Sequence, residues 1–397
     1  MARILTISPR TKLGQVLLGG LVSLAALSSG CSSGTDDVRG VGGDSVPADA
    51  SIYSGAVVSQ ADEAFWTGGG LVGEPGSWKP VGKLVGYGPD GAILRTAEIP
   101  PPDGLFWFNL QVAGDAPTVV AAACETPTTA ETPGCAGTAR LFRIDGRSGK
   151  ATQLVGTDGK AVTAHLGLFS LLGQKSDGSA VLAIQSGPET IPGFAPVQVV
   201  ELSNDGTALS TASLPQANVR WICMVPEGSV YQATPNLDNM MRVGSVSVGK
   251  LTEGGVTSFA EVAGMPADLM QGKVACTAGS VFLVGAGSTV VAAVVSLKDG
   301  AVKSIGLESG AVSPQLDALL PAPQGGATVS IRSGDGKRTV AFLLNSDGTT
   351  KLLASQDNAE YRPLAVIVEG DSSSFVDVAP ASWTPPDGAT INFERVG

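Results

Sequence analysis

The stretch from Pro196 to Pro215, PVQVVELSNDGTALSTASLP, contains two short apolar and β-branched runs separated by Asn204-Asp205-Gly206. An Asp-Gly pair between two such runs is a strong hairpin signal. The tight turns that match the twist of paired strands need positive φ, which glycine adopts without strain from a Cβ atom. We therefore predict a β-hairpin here, with Gly206 in its turn.

The same signal recurs along the chain. Its glycines are Gly91, Gly146, Gly206, Gly254, Gly300, Gly348 and Gly388, which lie 55, 60, 48, 46, 48 and 40 residues apart. A second set of hairpin turns lies between them, around Gly178, Gly228, Gly279 and Gly325. Each repeat therefore holds two hairpins, or four strands. A four-stranded antiparallel unit of roughly 40 to 50 residues has the size of a β-propeller blade.

The repeats predict an all-β fold. We expect a β-propeller of seven four-stranded blades that begin near residues 52, 104, 167, 219, 268, 315 and 360. Six or eight blades are alternatives, and tandem β-sandwiches are the rival architecture. Continuous apolar runs such as VVAAVVSL favour the propeller, because a strand inside a blade has neighbours on both faces. The last repeat is irregular, and it closes the ring either alone or by sharing the strand SIYSGAVV.

The first thirty residues have the pattern of an export signal. Basic residues at positions 3, 10 and 12 precede an apolar run of twelve residues, Val16 to Leu27. That run is shorter than the ~20 residues needed to span a bilayer. The small residues ending at Gly30-Cys31 resemble the lipobox of bacterial lipoproteins. The resemblance implies that Cys31 is the lipidated first residue of the mature chain, and Ser32 implies the outer membrane if the cell has two. The alternative is an ordinary secretory signal with Cys31 as an incidental thiol.

A flexible tether follows the lipobox. Residues 32–50 are rich in Gly, Ser and Asp and have no periodic apolar pattern, and such a coil reaches on the order of 25 Å. The predicted organisation is a signal peptide over residues 1–30, a tether over residues 31–50 and a single propeller domain over residues 51–397.

Charge narrows the range of partners. The formal net charge is -11, and the first thirty residues contribute three positive charges and no negative one, so the remainder stands at -11 - 3 = -14. An acidic body repels phosphate backbones, which argues against nucleic acid. No basic amphipathic helix is evident, so we expect contact with the membrane through the lipid anchor only.

Four cysteines remain once Cys31 is set aside, an even number in an exported chain. Cys124 and Cys135 flank a loop rich in Pro and Thr, and we predict a disulfide there. Cys223 and Cys276 lie five and three residues ahead of Gly228 and Gly279. This offset keeps both side chains on the same strand face and favours a bridge between neighbouring blades.

The aromatic residues suggest packing rather than ligand binding. Trp66, Trp107 and Trp221 occur early in their repeats, where large side chains fill the space between blades. Trp78 lies in a glycine-rich loop, and we interpret it as a loop anchor, with ligand contact as the alternative.

The sequence contains no recognisable catalytic motif. The single histidine, His165, excludes the WD40 signature and a His-based metal cluster, and without a nucleophile elbow we interpret it as structural or surface-exposed. The Asp-Gly pairs at Asp335 and Asp347 lack the further carboxylates of a calcium loop, so we interpret them as turns. No cofactor or phosphate-binding motif is present. Glu125, Glu201 and Asp317 are acids that a glycan-cleaving site would need, but nothing in the sequence pairs them.

We therefore predict a lipid-anchored binding or scaffold protein of the cell envelope, with an envelope or extracellular protein or glycan as partner. The alternative function is a hydrolase or lyase that acts on an extracellular polymer. A quinone-dependent dehydrogenase is a weaker alternative, because neither the histidine content nor a metal motif supports it.

Overall fold

This computed structural model describes residues 50–396, with gaps at 61–62, 73–77, 88–92, 114–117, 127–134, 136, 192, 204, 239, 241, 254, 270, 323–324, 336, 358–361, 370–371 and 379–390. Cys31, the predicted signal peptide and the predicted tether up to residue 49 lie outside these residues. Within the described part, no helix has the length and apolar character that crossing a membrane requires.

The described chain is built from strands that pair into seven sheets. The first sheet contains β1 (Ala50–Gln60), β2 (Glu63–Val72), β3 (Lys79–Tyr87) and β4 (Ile93–Glu98). The second contains β5 (Leu105–Ala113), β6 (Thr118–Glu125), β7 (Thr138–Asp145), β8 (Ala151–Gln153) and β10 (Thr163–His165). The third contains β9 (Val155–Gly156), β11 (Phe169–Gln174), β12 (Ala180–Gln185), β13 (Ala195–Leu202) and β14 (Thr207–Ala217).

The remaining sheets are simpler. The fourth follows a single-turn 3-10 helix (Val219–Trp221) and contains β15 (Ile222–Met224), β16 (Val230–Leu237), β17 (Val243–Thr252) and β18 (Gly255–Ala263). The fifth contains β19 (Gln271–Cys276), β20 (Ser280–Ala286), β21 (Val290–Ser296) and β22 (Val302–Leu307). The sixth contains β23 (Gln315–Pro321), β24 (Ala327–Arg332), β25 (Arg338–Leu344) and β26 (Thr350–Asp357). The last contains β27 (Arg362–Glu369), β28 (Ser372–Val378) and β29 (Ile391–Val396).

The first strands of the sheets form the inner wall of a ring. β5 contacts β1 and β11, β15 contacts β11 and β19, and β23 contacts β19 and β27. β27 in turn contacts β1, which closes the series. The chain is therefore an all-β propeller, and the tandem-sandwich alternative does not describe it. The first strand of each sheet begins within three residues of a predicted repeat start.

The ring has two faces that follow from its connectivity. In these antiparallel sheets the turns between first and second strands and between third and fourth strands lie on one face, which we call the turn face. The connections between second and third strands and the starts of the first strands lie on the opposite face, which we call the loop face. β1 pairs with β2 inside the first sheet, so among the described strands SIYSGAVV is not shared with the last sheet.

The core lies between neighbouring sheets. Five clusters of buried apolar residues occupy the five boundaries between the first six sheets. Adjacent residues of one strand pack at different sheet boundaries: Phe282 packs toward the sixth sheet and Leu283 toward the fourth. Alternate side chains of a strand point to opposite faces, and here both faces are buried. This is why the central strands have continuous apolar runs.

Two disulfides strengthen the ring. Cys124 and Cys135 are bonded, with Cα atoms 5.4 Å apart, and so are Cys223 and Cys276, with Cα atoms 5.5 Å apart. The second bond joins β15 to β19, the first strands of two neighbouring sheets. Both predicted disulfides are confirmed, and the Cys223–Cys276 bond links two blades.

Some turns differ from the predicted ones. Gly206 has the expected positive φ of 91°, but in the second sheet Gly149, with φ of 69°, takes the position predicted for Gly146. Asp145 starts a longer turn there, closed by the bond from Gly149 N to Asp145 O of 2.8 Å. Gly279 is not among the described glycines with positive φ. Gly91, Gly254 and Gly388 lie outside the described residues.

The second sheet also departs from the four-stranded pattern. Both β8 and β10 pair with β7, and the segment between them supplies β9, which pairs in parallel with β14 at the outer edge of the third sheet. This excursion explains the long 60-residue interval between Gly146 and Gly206. It also links the second and third sheets at the rim.

Candidate functional site

A polar cleft lies between the second and third sheets on the turn face. Its volume is about 460 Å³, and its lining comprises Thr118, Arg143, Ile144, Asp145, Gly146, Arg147, Ser148, Lys150, Thr152, Asp205 and Gly206. We call it the rim cleft, because the turns between third and fourth strands that form it lie in the outer part of the ring.

One wall of the rim cleft is the turn from β7 to β8. Oδ1 of Asp145 accepts hydrogen bonds from the backbone N–H of Arg147 at 3.0 Å, and from the backbone N–H and hydroxyl of Ser148 at 2.7 and 3.0 Å. Gly149 brings this turn against the carbonyl of Glu98 in the first sheet, where a Cβ atom would not fit. These bonds fix the positions from which Arg147 and Lys150 extend.

The opposite wall is the turn from β13 to β14. Oδ1 of Asp205 accepts hydrogen bonds from the Ser203 hydroxyl at 2.5 Å and from the Thr207 backbone N–H at 2.9 Å. Arg143 crosses between the walls, since its Nη1 donates to the Ser203 carbonyl at 3.1 Å. The guanidinium of Arg143 thus ties the second sheet to the third at the edge of the cleft.

The cleft is rich in charge. Arg143, Arg147 and Lys150 supply three cations, while Asp145 and Asp205 supply two anions. Hydrogen bonds from the Ser203 hydroxyl and the Thr207 N–H lower the pKa of Asp205 to about 2, and bonds from Ser148 lower the pKa of Asp145. Both carboxylates therefore stay ionised at neutral pH, with one oxygen committed to the donors of its own turn.

A second polar group lies on the inner wall of the ring near the loop face. Nζ of Lys273 donates to the Asp317 carbonyl at 2.6 Å, and Oε1 of Gln271 accepts from the Leu316 N–H at 2.9 Å. Arg332 binds the Asp317 carboxylate through Nε at 3.2 Å and Gln315 through Nη2 at 2.9 Å. We call this set the axial cluster.

The axial cluster joins the fifth sheet to the sixth. The Asp317 side chain is only 4% exposed, and a buried carboxylate is stable only with a partner. Arg332 is that partner, and Lys273 and Gln271 bond the backbone beside it across the sheet boundary. Gln111 makes an equivalent link between the second and third sheets, donating to the Phe169 carbonyl and accepting from the Leu171 N–H. The geometry thus gives the axial cluster a structural role.

The structure does not bring the three candidate acids together. Glu125 is exposed at the loop-face end of β6, and Asp317 lies four sheets further along the chain. Glu201 lies at the turn-face end of β13, where it pairs with the Lys175 ammonium and accepts a hydrogen bond from Ser179 at 3.1 Å. No two of these carboxylates lie at one site, where they could flank the same glycosidic bond as a glycosidase mechanism requires.

His165 and the tryptophans occupy structural positions. His165 pairs with Thr138 in the short β10–β7 ladder. Trp107 is buried between the first and second sheets, with its Nε1 donating to the Ile99 carbonyl at 2.6 Å, and Trp221 packs between the fourth and fifth. Trp78 packs against the core of the second and third sheets, which agrees with a loop anchor. The Trp66 side chain lies outside the described residues.

The Asp-Gly pairs act as turn caps. Oδ1 of Asp347 accepts hydrogen bonds from the Thr349 N–H at 2.8 Å and hydroxyl at 2.6 Å, and Oδ1 of Asp335 accepts from the Lys337 N–H at 3.1 Å. These carboxylates are therefore engaged by their own turns. Across the described ranges, no group of three or more His, Cys, Asp or Glu side chains is placed to hold a metal ion.

Sequence reasoning missed the rim cleft. Its walls are two turns about 60 residues apart in the chain, and only the ring brings them together. A signal was nevertheless present, because RIDGRSGK, residues 143–150, places three basic residues within eight positions of an otherwise acidic chain. The axial cluster had no such signal, since its members are spread over three strands.

Comparisons with known proteins agree on the fold. The chain has a TM-score of 0.50 with the β-propeller domain of the Trilobed protease from Pyrococcus furiosus, with 8% identity over 86% of this chain and 92% of that one. It is also similar to the acylaminoacyl peptidase of Pyrococcus horikoshii (TM-score 0.49, 10% identity, 87% of this chain and 52% of that one). A third similar structure is the polysaccharide lyase Uly1 (TM-score 0.48, 10% identity, 86% of this chain and 88% of that one). No family model and no curated protein sequence matches the chain. At 8% identity, the likeness to the propeller domain shows the fold alone.

Proposed function

We propose that this protein is a lipid-anchored, extracytoplasmic β-propeller that acts as a binding or scaffold lipoprotein of the cell envelope. Its lipid is attached to Cys31, and in a cell with two membranes it is held at the outer membrane. Its partner is an envelope or extracellular protein or glycan. The body contacts the membrane through the anchor alone.

The single observation that carries this proposal is the position of the rim cleft relative to the point where the chain enters the ring. β1 begins at Ala50 on the loop face, and the cleft opens on the turn face. A tether from Cys31 therefore joins the ring on the side opposite the cleft. An anchored ring with this geometry presents its charged cleft away from the bilayer.

We further propose that the ring has seven blades. The seven sheets and the contact of β27 with β1 support this count. Closure without a shared strand fits the same arrangement, because β1 to β4 already complete the first sheet.

Metabolic labelling with a lipid precursor tests the anchor. We expect label in the wild type and none in Cys31→Ala, which should also leave the membrane fraction. Absence of label in the wild type would show that the protein is not a lipoprotein.

Crosslinking in intact cells followed by pulldown tests the binding role. We expect to recover a specific partner with the wild type. That partner should not be recovered when the body, residues 51–397, is replaced by an unrelated domain attached to the same anchor. Turnover of a polysaccharide or peptide library without any recovered partner would favour the hydrolase or lyase alternative.

A further inference from the structure

The rim cleft has a chemistry that the proposed binding role does not specify. Its three cations stand out against the acidic composition of the chain, with 36 Asp and Glu and 25 Lys and Arg. Arg143 is held across the cleft by its bond to the Ser203 carbonyl. Arg147 and Lys150 are exposed and extend from a turn fixed by Asp145. A set of cations of this kind favours an anionic ligand.

The rest of the lining favours a hydroxylated ligand. Thr152 contributes a hydroxyl group, and Ser148 contributes a hydroxyl oxygen whose hydrogen is donated to Asp145. The carboxylates of Asp145 and Asp205 each keep an oxygen beyond the one used by their turns. These groups accept and donate hydrogen bonds in the way that sugar hydroxyls need. Ile144 is fully buried and offers no apolar surface. Protein interfaces instead depend on large apolar anchors in their centre.

We infer that the rim cleft binds an anionic saccharide, a uronate-type chain whose carboxylates contact Arg147 and Lys150 and whose hydroxyls contact Ser148, Thr152 and the two aspartates. This inference deepens the proposed function by naming the ligand class. The cleft lies on the face opposite the tether, so a polymer outside the membrane can reach it.

Titration of the full chain with polygalacturonate and with alginate tests the inference. We expect saturable binding that weakens as the salt concentration rises, because the Debye length shortens. Fully methyl-esterified polygalacturonate, which keeps the sugar backbone but loses the charge, and neutral dextran should not bind.

The double substitution Arg147→Ala with Lys150→Ala should weaken binding roughly tenfold or more, since two charged contacts are lost. Both side chains are exposed, so the variant should keep the wild-type melting temperature. Lys298→Ala is the matched control: it removes a lysine beside Asp299 on the corresponding turn of the fifth sheet, and binding should not change.

Three results would overturn the inference: no binding of either uronate polymer, undiminished binding by the double variant, or equal binding of polyglutamate, which would indicate an acidic peptide as ligand. These failures are distinguishable from failure of the proposed function. Lipid labelling and the recovery of a partner from cells do not depend on the titration.

Discussion

Gly272 and Trp221 meet at the boundary between the fourth and fifth sheets, where the space allows no Cβ atom. A Cβ built on Gly272 would overlap the indole ring of Trp221. Gly272→Ala must therefore displace a buried tryptophan, and overpacking of this kind costs about 1–3 kcal/mol. We expect the free energy of unfolding, measured by denaturant titration, to fall by that amount.

Gly306→Ala is the control for this prediction. Gly306 is also a strand residue, but nothing lies within 4 Å of a Cβ added there. The substitution should leave stability unchanged or raise it slightly, because alanine restricts the unfolded chain. Equal losses at both positions would show that the strand backbone, and not the tryptophan contact, sets the cost.

The turn aspartates predict a specific response to acid. Hydrogen bonds from the Ser203 hydroxyl and the Thr207 N–H lower the pKa of Asp205 from 3.8 to about 2 in the folded state. A lowered folded-state pKa contributes stability above the unfolded value, and that contribution is lost as the pH falls through the folded value. We expect the unfolding free energy to decline between pH 4 and pH 2, with a shallower decline in Asp205→Asn. Identical slopes for the two proteins would contradict this account.

Single residues also show where sequence prediction reached its limit. Gly206 was predicted correctly because its Asp-Gly pair stands directly between two apolar runs. Asp145-Gly146 is the same dipeptide, but a longer turn forms there, in which the N–H groups of Ser148 and Gly149 donate to Asp145. The Asp-Gly dipeptide alone cannot distinguish these two kinds of turn, because the residues that donate hydrogen bonds to the aspartate follow it in the sequence.

Among the structural elements, the two disulfides close loops of different length. Cys223 and Cys276 are 53 residues apart in sequence, and Cys124 and Cys135 are 11 apart. In the chain-entropy account, the longer loop contributes about 4 kcal/mol and the shorter about 3 kcal/mol. We expect the double variant C223A/C276A to lose more stability than C124A/C135A, as measured by thermal and denaturant unfolding. The reverse order would mean that local packing, not loop closure, dominates.

The same elements explain which part of the sheets the sequence predicted. β20 and β21 are seven residues long and contain no polar side chain apart from Ser280 and Ser296 at their ends, so their strand type was evident. β9 and β10 have only two and three residues, too few for any period to appear. Their pairing with β14 and β7 depends on the neighbouring sheet, and this information is not local.

For the whole molecule, the repeat predicted the ring but not the site. A four-stranded unit that buries both faces must stack on its neighbours, so periodicity alone led to the propeller. The rim cleft depends on which turns of adjacent blades carry charge, namely Arg147 and Lys150 opposite Asp205. Nothing in the period of the repeat encodes that pairing.

The connectivity also predicts the orientation of the protein under the proposed lipid anchor. Because β1 starts on the loop face, we expect a tether on the order of 25 Å to keep that face toward the bilayer. A fluorophore on Met240→Cys, an exposed loop-face position, should be quenched by headgroup-labelled lipid in vesicles. One on Lys298→Cys at the turn face should be quenched less, and neither should respond in Cys31→Ala, which lacks the anchor. Equal quenching at the two positions would mean that the tether lets the ring tumble, and the cleft would then have no preferred direction.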